Sequence, residues 1–176
     1  MITVALGLGS NKSYNSLSPV QILFSACKRL SAFVSDFSVS SIYKTAALYV
    51  TDQDDFYNMV LVGNYEGSPE MLLKQINEIE AEFGRNREKE FRNGPRPLDI
   101  DIELFGNIKV NLNNLIIPHE RMLERAFVLK PLLEIFSKYA DKFPYEEKFL
   151  LEQLSILKEQ RIVPYISACD FLNEKF

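Results

Sequence analysis

The sequence contains few of the side chains that build thiolate and imidazole metal sites. It has two cysteines and one histidine among 176 residues. Cys27 and Cys169 lie far apart and form no CxxC pair, so neither a disulfide framework nor a cysteine-held zinc site is expected. The single histidine, His119, excludes a histidine-rich metal centre. A reducing compartment is therefore the default, and Cys27, on an apolar helical stripe, is expected to fill the core.

Long apolar runs are also missing, and no signal peptide or membrane span is visible in the sequence. The net charge of −4 argues against nucleic-acid or membrane partners, because both surfaces attract basic proteins. The length, with 47% hydrophobic and 25% charged residues, fits a single globular domain over residues 1–176. We therefore expect a cytoplasmic protein with small-molecule partners, either a monomer or a weak dimer.

Alternation and capping signals predict six main elements in the order strand, helix, strand, strand, helix, strand. The predicted strands cover residues 2–8, 37–45, 56–65 and 98–105. The two helices begin at Ser18-Pro19 and Ser68-Pro69, each a capping serine followed by proline. This order is typical of the α+β, ferredoxin-like (βαββαβ) fold, an antiparallel sheet with helices on one face. The other face is expected to carry the catalytic loops and the ligands.

The second part of the chain carries weaker signals. Gly106-Asn107 predicts a hairpin turn into a short strand near residues 108–112. Residues 118–136 predict short helical pieces, with Pro131 expected only in a first helical turn. One further helix is expected around residues 149–158.

The stretch from Leu98 to Phe105 alternates between acidic and apolar residues. Asp99, Asp101 and Glu103 are expected on one side with Phe105, and the apolar residues, Leu104 included, on the other. Carboxylates two residues apart on one face lie about 6.6 Å apart at their Cβ atoms, from a rise of roughly 3.3 Å per residue. Two Mg²⁺ ions about 3.5–4 Å apart fit between such groups when phosphate oxygens complete their shells.

A basic segment just before this strand is a local exception to the acidic net charge. Its cations are Arg85, Arg87, Lys89, Arg92 and Arg96. Metal-binding acids beside phosphate-binding bases are typical of a site for nucleotide phosphoryl transfer. Each feature alone also has a plain explanation. The acids could be exposed on a sheet edge, and the bases could form a solvated loop.

The chain resembles the 6-hydroxymethyl-7,8-dihydropterin pyrophosphokinase family. The segments that carry the resemblance are Gly94-Pro95-Arg96-Pro97-Leu98-Asp99-Ile100-Asp101, Pro118-His119 and Arg125-Ala126-Phe127-Val128-Leu129. The resemblance covers residues from about 2 to about 136, and the tail from Lys138 matches loosely. Enzymes of this folate-pathway family transfer the β,γ-pyrophosphoryl group of ATP, their co-substrate, to the pterin hydroxymethyl group and release AMP.

The resemblance implies roles for individual residues. Asp99 and Asp101 match the positions that hold two Mg²⁺ ions, and Arg85 and Arg96 match catalytic arginines. The positions that match ATP-binding residues are Asn77, Glu80, Arg87, Arg92, His119 and Arg125. The positions that match pterin-binding residues are Thr45, Leu48, Phe56, Asn58 and Phe127. In the family, the two aromatic residues of this last set enclose the pterin ring, whereas from pattern alone Phe56 and Phe127 would be core residues.

Two other functions are compatible with paired aspartates on a strand. One is a metal-dependent nucleotidyltransferase with a palm-like sheet, against which the acidic net charge counts. The other is a pterin- or nucleotide-binding module without catalysis, which the loss of either aspartate or of both arginines would have favoured. The reaction products distinguish the three: AMP indicates the pyrophosphokinase, pyrophosphate the nucleotidyltransferase, and no turnover the binding module.

Overall fold

A central antiparallel sheet organises the chain, for which a computed structural model describes residues 1–48, 52–86 and 94–174. The strands are β1 (Ile2–Ser10), β2 (Val34–Val39), β3 (Ile42–Thr45), β4 (Phe56–Tyr65), β5 (Asp99–Phe105), β6 (Val110–Leu112), β7 (Leu115–Ile117) and β8 (Ile162–Ile166). The helices are α1 (Pro19–Leu30), α2 (Pro69–Glu82), α3 (Ala126–Phe136), α4 (Glu147–Ile156) and α5 (Ala168–Leu172). Short 3₁₀ helices cover Met122–Glu124 and Ser137–Lys142.

The strand order is β5-β1-β4-β3-β8, with β2 also paired to β4, and each of these pairings is antiparallel. The predicted mixed α+β fold with an antiparallel sheet is therefore confirmed. The predicted helix starts are confirmed as well. Ser18 forms a capping box with Gln21, and the Ser68 hydroxyl accepts a hydrogen bond from the backbone N–H of Met71.

The single strand predicted over residues 37–45 is two strands, β2 and β3. The break falls at Ser40, which is buried and bonds to β4 twice. Its backbone N–H donates to the Val60 carbonyl, and its hydroxyl accepts from the Val60 N–H, both at 2.9 Å. A buried serine that completes the hydrogen bonds of the neighbouring strand allows the chain to leave and rejoin the same partner.

Helices cover both faces of the sheet, so the prediction of helices on one face was wrong. Helices α1 and α2 pack on the face formed by residues such as Leu6, Leu61 and Ile100. Helix α3 packs on the opposite face, against residues such as Val62 and Leu104, and α4 packs against α3 and extends the same core. The strongly apolar α3 needs a second buried surface, and this face provides it. In the described part of the chain, we find no helix with the length and hydropathy that crossing a membrane requires.

The alternation of β5 is interrupted at Glu103, so the strict alternation expected through Phe105 was wrong. Ile102 pairs with Leu6 and Leu104 pairs with the preceding residue, Ala5, so Glu103 is the extra residue of a β-bulge. Leu104 therefore joins the core under α3, and Phe105 joins the core under α1 and α2. Leu98 to Ile102 keep the predicted alternation.

The region after β5 differs from the prediction in three ways. The turn predicted at Gly106-Asn107 and a short strand after it, β6, are observed, but β6 pairs with β7 and not with β5, so the expected hairpin was wrong. Pro131 lies in the second turn of α3 instead of a first turn. The tail adds β8 and α5, which were not predicted, and the helix expected around 149–158 is α4, two residues earlier. Local sequence signals do not report β8, because its partner, β3, lies more than a hundred residues away.

Candidate active site

A cleft of about 710 Å³, including the part open to solvent, lies at the β5-β1-β4-β3 portion of the sheet, beside the beginning of α3. Nine of the predicted site residues line it. Its charged end contains Arg96, Asp99, Asp101 and Arg125. Its neutral end contains Thr45, Leu48, Phe56, Asn58 and Phe127. The fold therefore brings together nine residues that sequence reasoning had assigned to one site. They come from three strands (β3, β4 and β5), from helix α3, and from the segments that precede β4, β5 and α3.

Arginine–carboxylate pairs hold the charged end together. Arg85 donates through Nη1 to Asp99 Oδ1, and Arg96 donates through Nη1 to Asp99 Oδ2 at 3.0 Å. Arg125 Nη1 donates to Asp101 Oδ2 at 2.8 Å. Burial alone would raise the pKa of Asp99, but the charges of Arg85 and Arg96 outweigh it and lower that pKa. Asp99 is thus held as a carboxylate.

Glu80 supports this end from behind the strand. Its side chain is 1% exposed and accepts hydrogen bonds from Arg85 Nη1 and, at 2.8 Å, from the Ile100 backbone N–H. Burial would lower the pKa of the Arg85 guanidinium, but the charges of Asp99 and Glu80 raise it. The predicted ATP-binding residue Glu80 therefore fixes an arginine and a strand of the site and does not line the cleft.

The other predicted ATP-binding positions occupy different environments. His119 Nε2 lies 3.9 Å from Asp101 Oδ2, while its Nδ1 accepts the Arg121 backbone N–H at 3.2 Å. Burial lowers the pKa of His119, and Asp101 opposes that shift only in part. Asn77 is exposed on α2 beside a shallow depression away from the cleft. The remaining two positions, Arg87 and Arg92, lie outside the described residues.

Glu103 is a cleft residue that the site prediction missed. It is 1% exposed, and within the described ranges neither carboxyl oxygen has a hydrogen-bond partner. Burial, together with the charge of Asp101, raises the pKa of Glu103 well above its ordinary value. The signal was present in the sequence, since Glu103 continues the alternation of Asp99 and Asp101 on the face of β5 that lines the cleft.

One hydrogen bond and two glycines of β1 shape the floor of the cleft. Asn58 Nδ2 donates to Thr45 Oγ1 at 2.7 Å, which turns the Asn58 amide oxygen toward Gly9. A Cβ at residue 9 would lie 2.7 Å from that oxygen, and a Cβ at residue 7 would lie 2.8 Å from Glu103 Oε1. Gly7 and Gly9 therefore leave room on β1 for oxygen atoms that belong to neighbouring strands.

The two aromatic residues of the neutral end contact the arginines of the charged end. The Arg96 guanidinium carbon lies 5.9 Å from the Phe56 ring centroid, and that of Arg125 lies 5.6 Å from the Phe127 centroid. Both phenyl rings are half-buried and line the cleft. Both rings therefore form walls of the cleft, Phe127 also packs against the core under α3, and both rings lie within range of cation–π attraction.

Asn11 ties the cleft's loops to the end of β1, and the site prediction did not include it. Its side-chain oxygen accepts the Arg96 backbone N–H at 2.8 Å, and its own N–H donates to the Arg96 carbonyl at 3.2 Å. Its amide nitrogen donates at 3.0 Å to the side chain of Gln53 and to the Asp54 carbonyl. The sequence signal for Asn11 was an asparagine that directly follows an apolar strand, in Gly9-Ser10-Asn11.

The oxygen ligands in the cleft suit a hard cation whose remaining ligands are water and phosphate oxygens. Within residues 1–48, 52–86 and 94–174, no three histidine, cysteine or acidic side chains converge as a ready metal shell. Asp99 and Asp101 offer carboxylate oxygens on one face of β5. Mg²⁺ is commonly held by one or two carboxylates with waters and substrate phosphates, so these residues fit Mg²⁺ bound together with a phosphate ligand.

Comparison with known proteins defines the class to which this fold and cleft belong. The chain is a member of the 7,8-dihydro-6-hydroxymethylpterin-pyrophosphokinase family, whose family model matches residues 5–137. It is 41% identical to the 2-amino-4-hydroxy-6-hydroxymethyldihydropteridine pyrophosphokinase of Haemophilus influenzae, over 78% of this chain and 83% of that protein. It is 38% identical to the mitochondrial folate synthesis bifunctional protein of Arabidopsis thaliana, over 78% of this chain.

The likeness extends to solved structures and to longer proteins. The HPPK-DHPS A437G structure of Plasmodium falciparum matches 89% of this chain with a TM-score of 0.64, at 17% sequence identity. At that identity the match supports the fold. The chain spans 24% of the Arabidopsis protein's length and 46% of the Plasmodium chain. Several relatives therefore contain large regions with no counterpart in this sequence.

Proposed function

We propose that the chain transfers pyrophosphate from ATP to 6-hydroxymethyl-7,8-dihydropterin, giving AMP and the pterin diphosphate. The observation that carries this proposal is the two-ended cleft, in which paired carboxylates and arginines lie next to a neutral slot between Phe56 and Phe127. Family membership supports the same reaction. We further propose that the core from β1 to β5 is a ferredoxin-like unit, and that the protein acts in the cytoplasm on small molecules only.

Asp99 and Asp101 are the residues that we propose to hold two Mg²⁺ ions. Bound there with the nucleotide, the ions would neutralise negative charge on the phosphate oxygens. Asp99 is suited to the role because Arg85 and Arg96 keep it ionised. Asp101 is half-buried at the cleft wall and within 3.9 Å of His119.

The arginines of the charged end are proposed to bind and orient the triphosphate. In this reaction the hydroxymethyl oxygen bonds to the β-phosphorus while the bond from that phosphorus to the α,β-bridging oxygen breaks. AMP leaves with the bridging oxygen, and the hydroxyl proton passes to solvent. Arg96 and Arg125 line this end, and Arg85 adds its charge from behind Asp99, to which it is bonded. Such pre-oriented charge stabilises the transferring group.

The neutral end is proposed to bind the pterin. A flat heterocycle between two phenyl rings gains about 0.5–1.5 kcal/mol per ring contact beyond the burial of area. The Asn58 amide oxygen is an acceptor with a fixed direction, because the amide nitrogen is bound to Thr45. Leu48 contributes an apolar edge at the mouth of the cleft.

One product assay tests the proposal. The protein is incubated with ATP, Mg²⁺ and 6-hydroxymethyl-7,8-dihydropterin, and the nucleotide products are separated. Release of AMP in equal amounts with pterin diphosphate is the expected result. Pyrophosphate release would point to a nucleotidyltransferase, and pterin binding without turnover would point to a binding module. Either outcome would overturn the pyrophosphokinase assignment.

A further inference from the structure

Gln160, in the turn after α4, holds the segment from which two cleft residues project. Its side-chain nitrogen donates to the Glu124 carbonyl at 2.7 Å, and its side-chain oxygen accepts the Ala126 backbone N–H at 2.8 Å. The two bonds flank Arg125, whose guanidinium binds Asp101. The two polar atoms of the Gln160 amide thus bond to the backbone on either side of Arg125, a charged residue of the cleft.

The start of α3 needs such an external partner. Arg125 occupies the N-cap position but makes no capping hydrogen bond with its side chain. The first N–H groups of a helix have no partner inside the helix, so a side chain from elsewhere must satisfy them or water must. Gln160 bonds the first of them, at Ala126, and the next residue is Phe127, the wall of the neutral slot.

The same short segment also reaches the opposite wall of the cleft. Two residues after Gln160, Ile162 begins β8 and pairs with Thr45 of β3. Thr45 in turn accepts the hydrogen bond that orients Asn58. Two residues span at most about 7 Å, so residues 160–162 form a short tie between the Phe127 wall and the Thr45 wall.

We propose that Gln160 is a positioning residue for substrate binding, acting through Arg125 and Phe127. The inference rests on the proposed function, and it assigns a role to the tail, the part of the chain that lies beyond the family match at residues 5–137. With both hydrogen bonds present, the start of α3 keeps a fixed distance from β3, where Thr45 pairs with Phe56, and the slot between Phe56 and Phe127 keeps its width. Loss of the bonds leaves the fold in place but lets the Phe127 wall move.

The test compares the whole chain carrying Gln160→Ala, Gln160→Met or Glu159→Ala with the unchanged protein. Gln160→Met keeps the length of the side chain and removes both hydrogen bonds. Glu159 is the exposed neighbour and serves as the matched control. Pterin affinity is measured by calorimetry at a temperature where circular dichroism shows each variant folded. We expect Gln160→Ala and Gln160→Met each to weaken pterin binding about 3- to 10-fold, from the loss of two hydrogen bonds.

ATP affinity measured without pterin separates positioning from general damage. It should change less than about twofold, because several cations contribute to it and only two rings form the slot. Glu159→Ala should match the unchanged protein in both affinities. Pterin affinity within about 1.5-fold of wild type in Gln160→Ala would overturn the inference. Restoration by Gln160→Met would also overturn it, by showing that packing and not hydrogen bonding matters.

A lowered thermal midpoint with pterin affinity unchanged would assign Gln160 a structural role only and would overturn the inference as well. Failure of the proposed function looks different. In that case the unchanged protein itself would release no AMP from ATP and the hydroxymethyl-dihydropterin. The comparison of variants is therefore made on a wild-type protein whose AMP release has been measured first.

Discussion

The two ends of the cleft are organised by different forces. At the charged end, Arg85 and Arg96 neutralise Asp99, and Arg125 neutralises Asp101. At the neutral end, one hydrogen bond between uncharged side chains and two half-buried rings define the walls. A phosphate ligand would meet side chains already engaged in ion pairs, whereas a flat heterocycle would meet two apolar rings that lie against the guanidiniums of Arg96 and Arg125.

This difference between the two ends predicts which substitutions change the turnover rate and which change the affinity for a substrate. Charge-assisted hydrogen bonds are about twice as strong as neutral ones, and an unpaired buried charge is costly. Substitutions at the charged end should therefore change turnover strongly. Substitutions at the neutral end should change the affinity for one substrate by a few kcal/mol at most.

The largest effect is expected from Asp101→Ala. This substitution should lower AMP release by about 10³-fold or more, because a cation that neutralises the phosphates would lose its anchor. Extra Mg²⁺ near neutral pH should not restore activity. Asp101 is the better test position than Asp99, since Asp99 bonds two arginines, Arg85 and Arg96, whereas the hydrogen bond described for Asp101 is to one arginine, Arg125.

The control for that experiment is Asp141→Ala, which removes an exposed acid paired with Lys142. Circular dichroism should show both variants folded. Normal AMP release by Asp101→Ala would contradict the metal assignment. It would also show that substitutions at the charged end do not affect turnover more than substitutions at the neutral end.

Arg96→Lys should have a smaller effect, again on the rate of the reaction more than on ATP affinity. The backbone of Arg96 is fixed by two hydrogen bonds to Asn11, so its guanidinium is aimed with little entropy loss. Lysine keeps the charge but loses the planar fork that binds two oxygens at once. Single-turnover rates with saturating substrates should fall at least tenfold, with ATP affinity changed far less.

Arg121→Lys is the matched control, because Arg121 pairs with Glu124 beside the cleft and does not line it. If the chemical step of Arg96→Lys stays within about threefold of wild type, roughly 0.65 kcal/mol, Arg96 does not act in the transition state.

Phe127→Ala tests the neutral end. Pterin binding should weaken by about 1–3 kcal/mol from lost area and stacking, while ATP affinity stays nearly unchanged. Phe149→Ala is the control, since Phe149 stacks on Tyr145 outside the cleft. Calorimetry that shows equal losses for both substrates would mean that Phe127 supports the whole cleft and does not belong to one end.

The smallest effect concerns the protonation of Glu103 without Mg²⁺ or nucleotide. Its pKa is raised by burial, so the folded state binds its proton more tightly than the unfolded state. Stability should therefore fall as pH rises from about 4.3, the ordinary glutamate pKa, through the raised value in the folded protein. Glu103→Gln should remove this fall, and chemical denaturation at pH 4.5 and pH 8 measures it.

The exposed Glu159→Gln is the control and should leave the pH profile as in the wild type. If wild type and Glu103→Gln show parallel pH profiles, Glu103 is ionised in the fold, and the charged end contains three negative charges instead of two.

The parts of the site that follow local rules were predictable from sequence. Strand β4 was predicted with its observed bounds, and the carboxylates of Asp99 and Asp101 were placed on one face of their strand correctly. Period-two alternation and serine capping depend on neighbours within four residues, which a sequence displays directly.

The remaining features depend on partners distant in sequence. The bulge at Glu103 arises from its register with β1, and the role of Glu80 arises from contacts with Arg85 and with β5 across the α2–sheet interface. The burial of one sheet face under α3 and α4 likewise depends on packing across the chain. Such arrangements require the tertiary structure, since the same residues would suit an exposed strand or helix.

The glycines of β1 limit how the cleft can vary. Every other residue adds a Cβ, and at positions 7 and 9 that atom would lie within 3 Å of Glu103 or Asn58. A side chain at either position would therefore have to displace Glu103, which is buried, or Asn58, which is bonded to Thr45. Variation of the cleft is expected more readily at the rim, at Ala46, Ala47 and Leu48, whose side chains are exposed or half-buried.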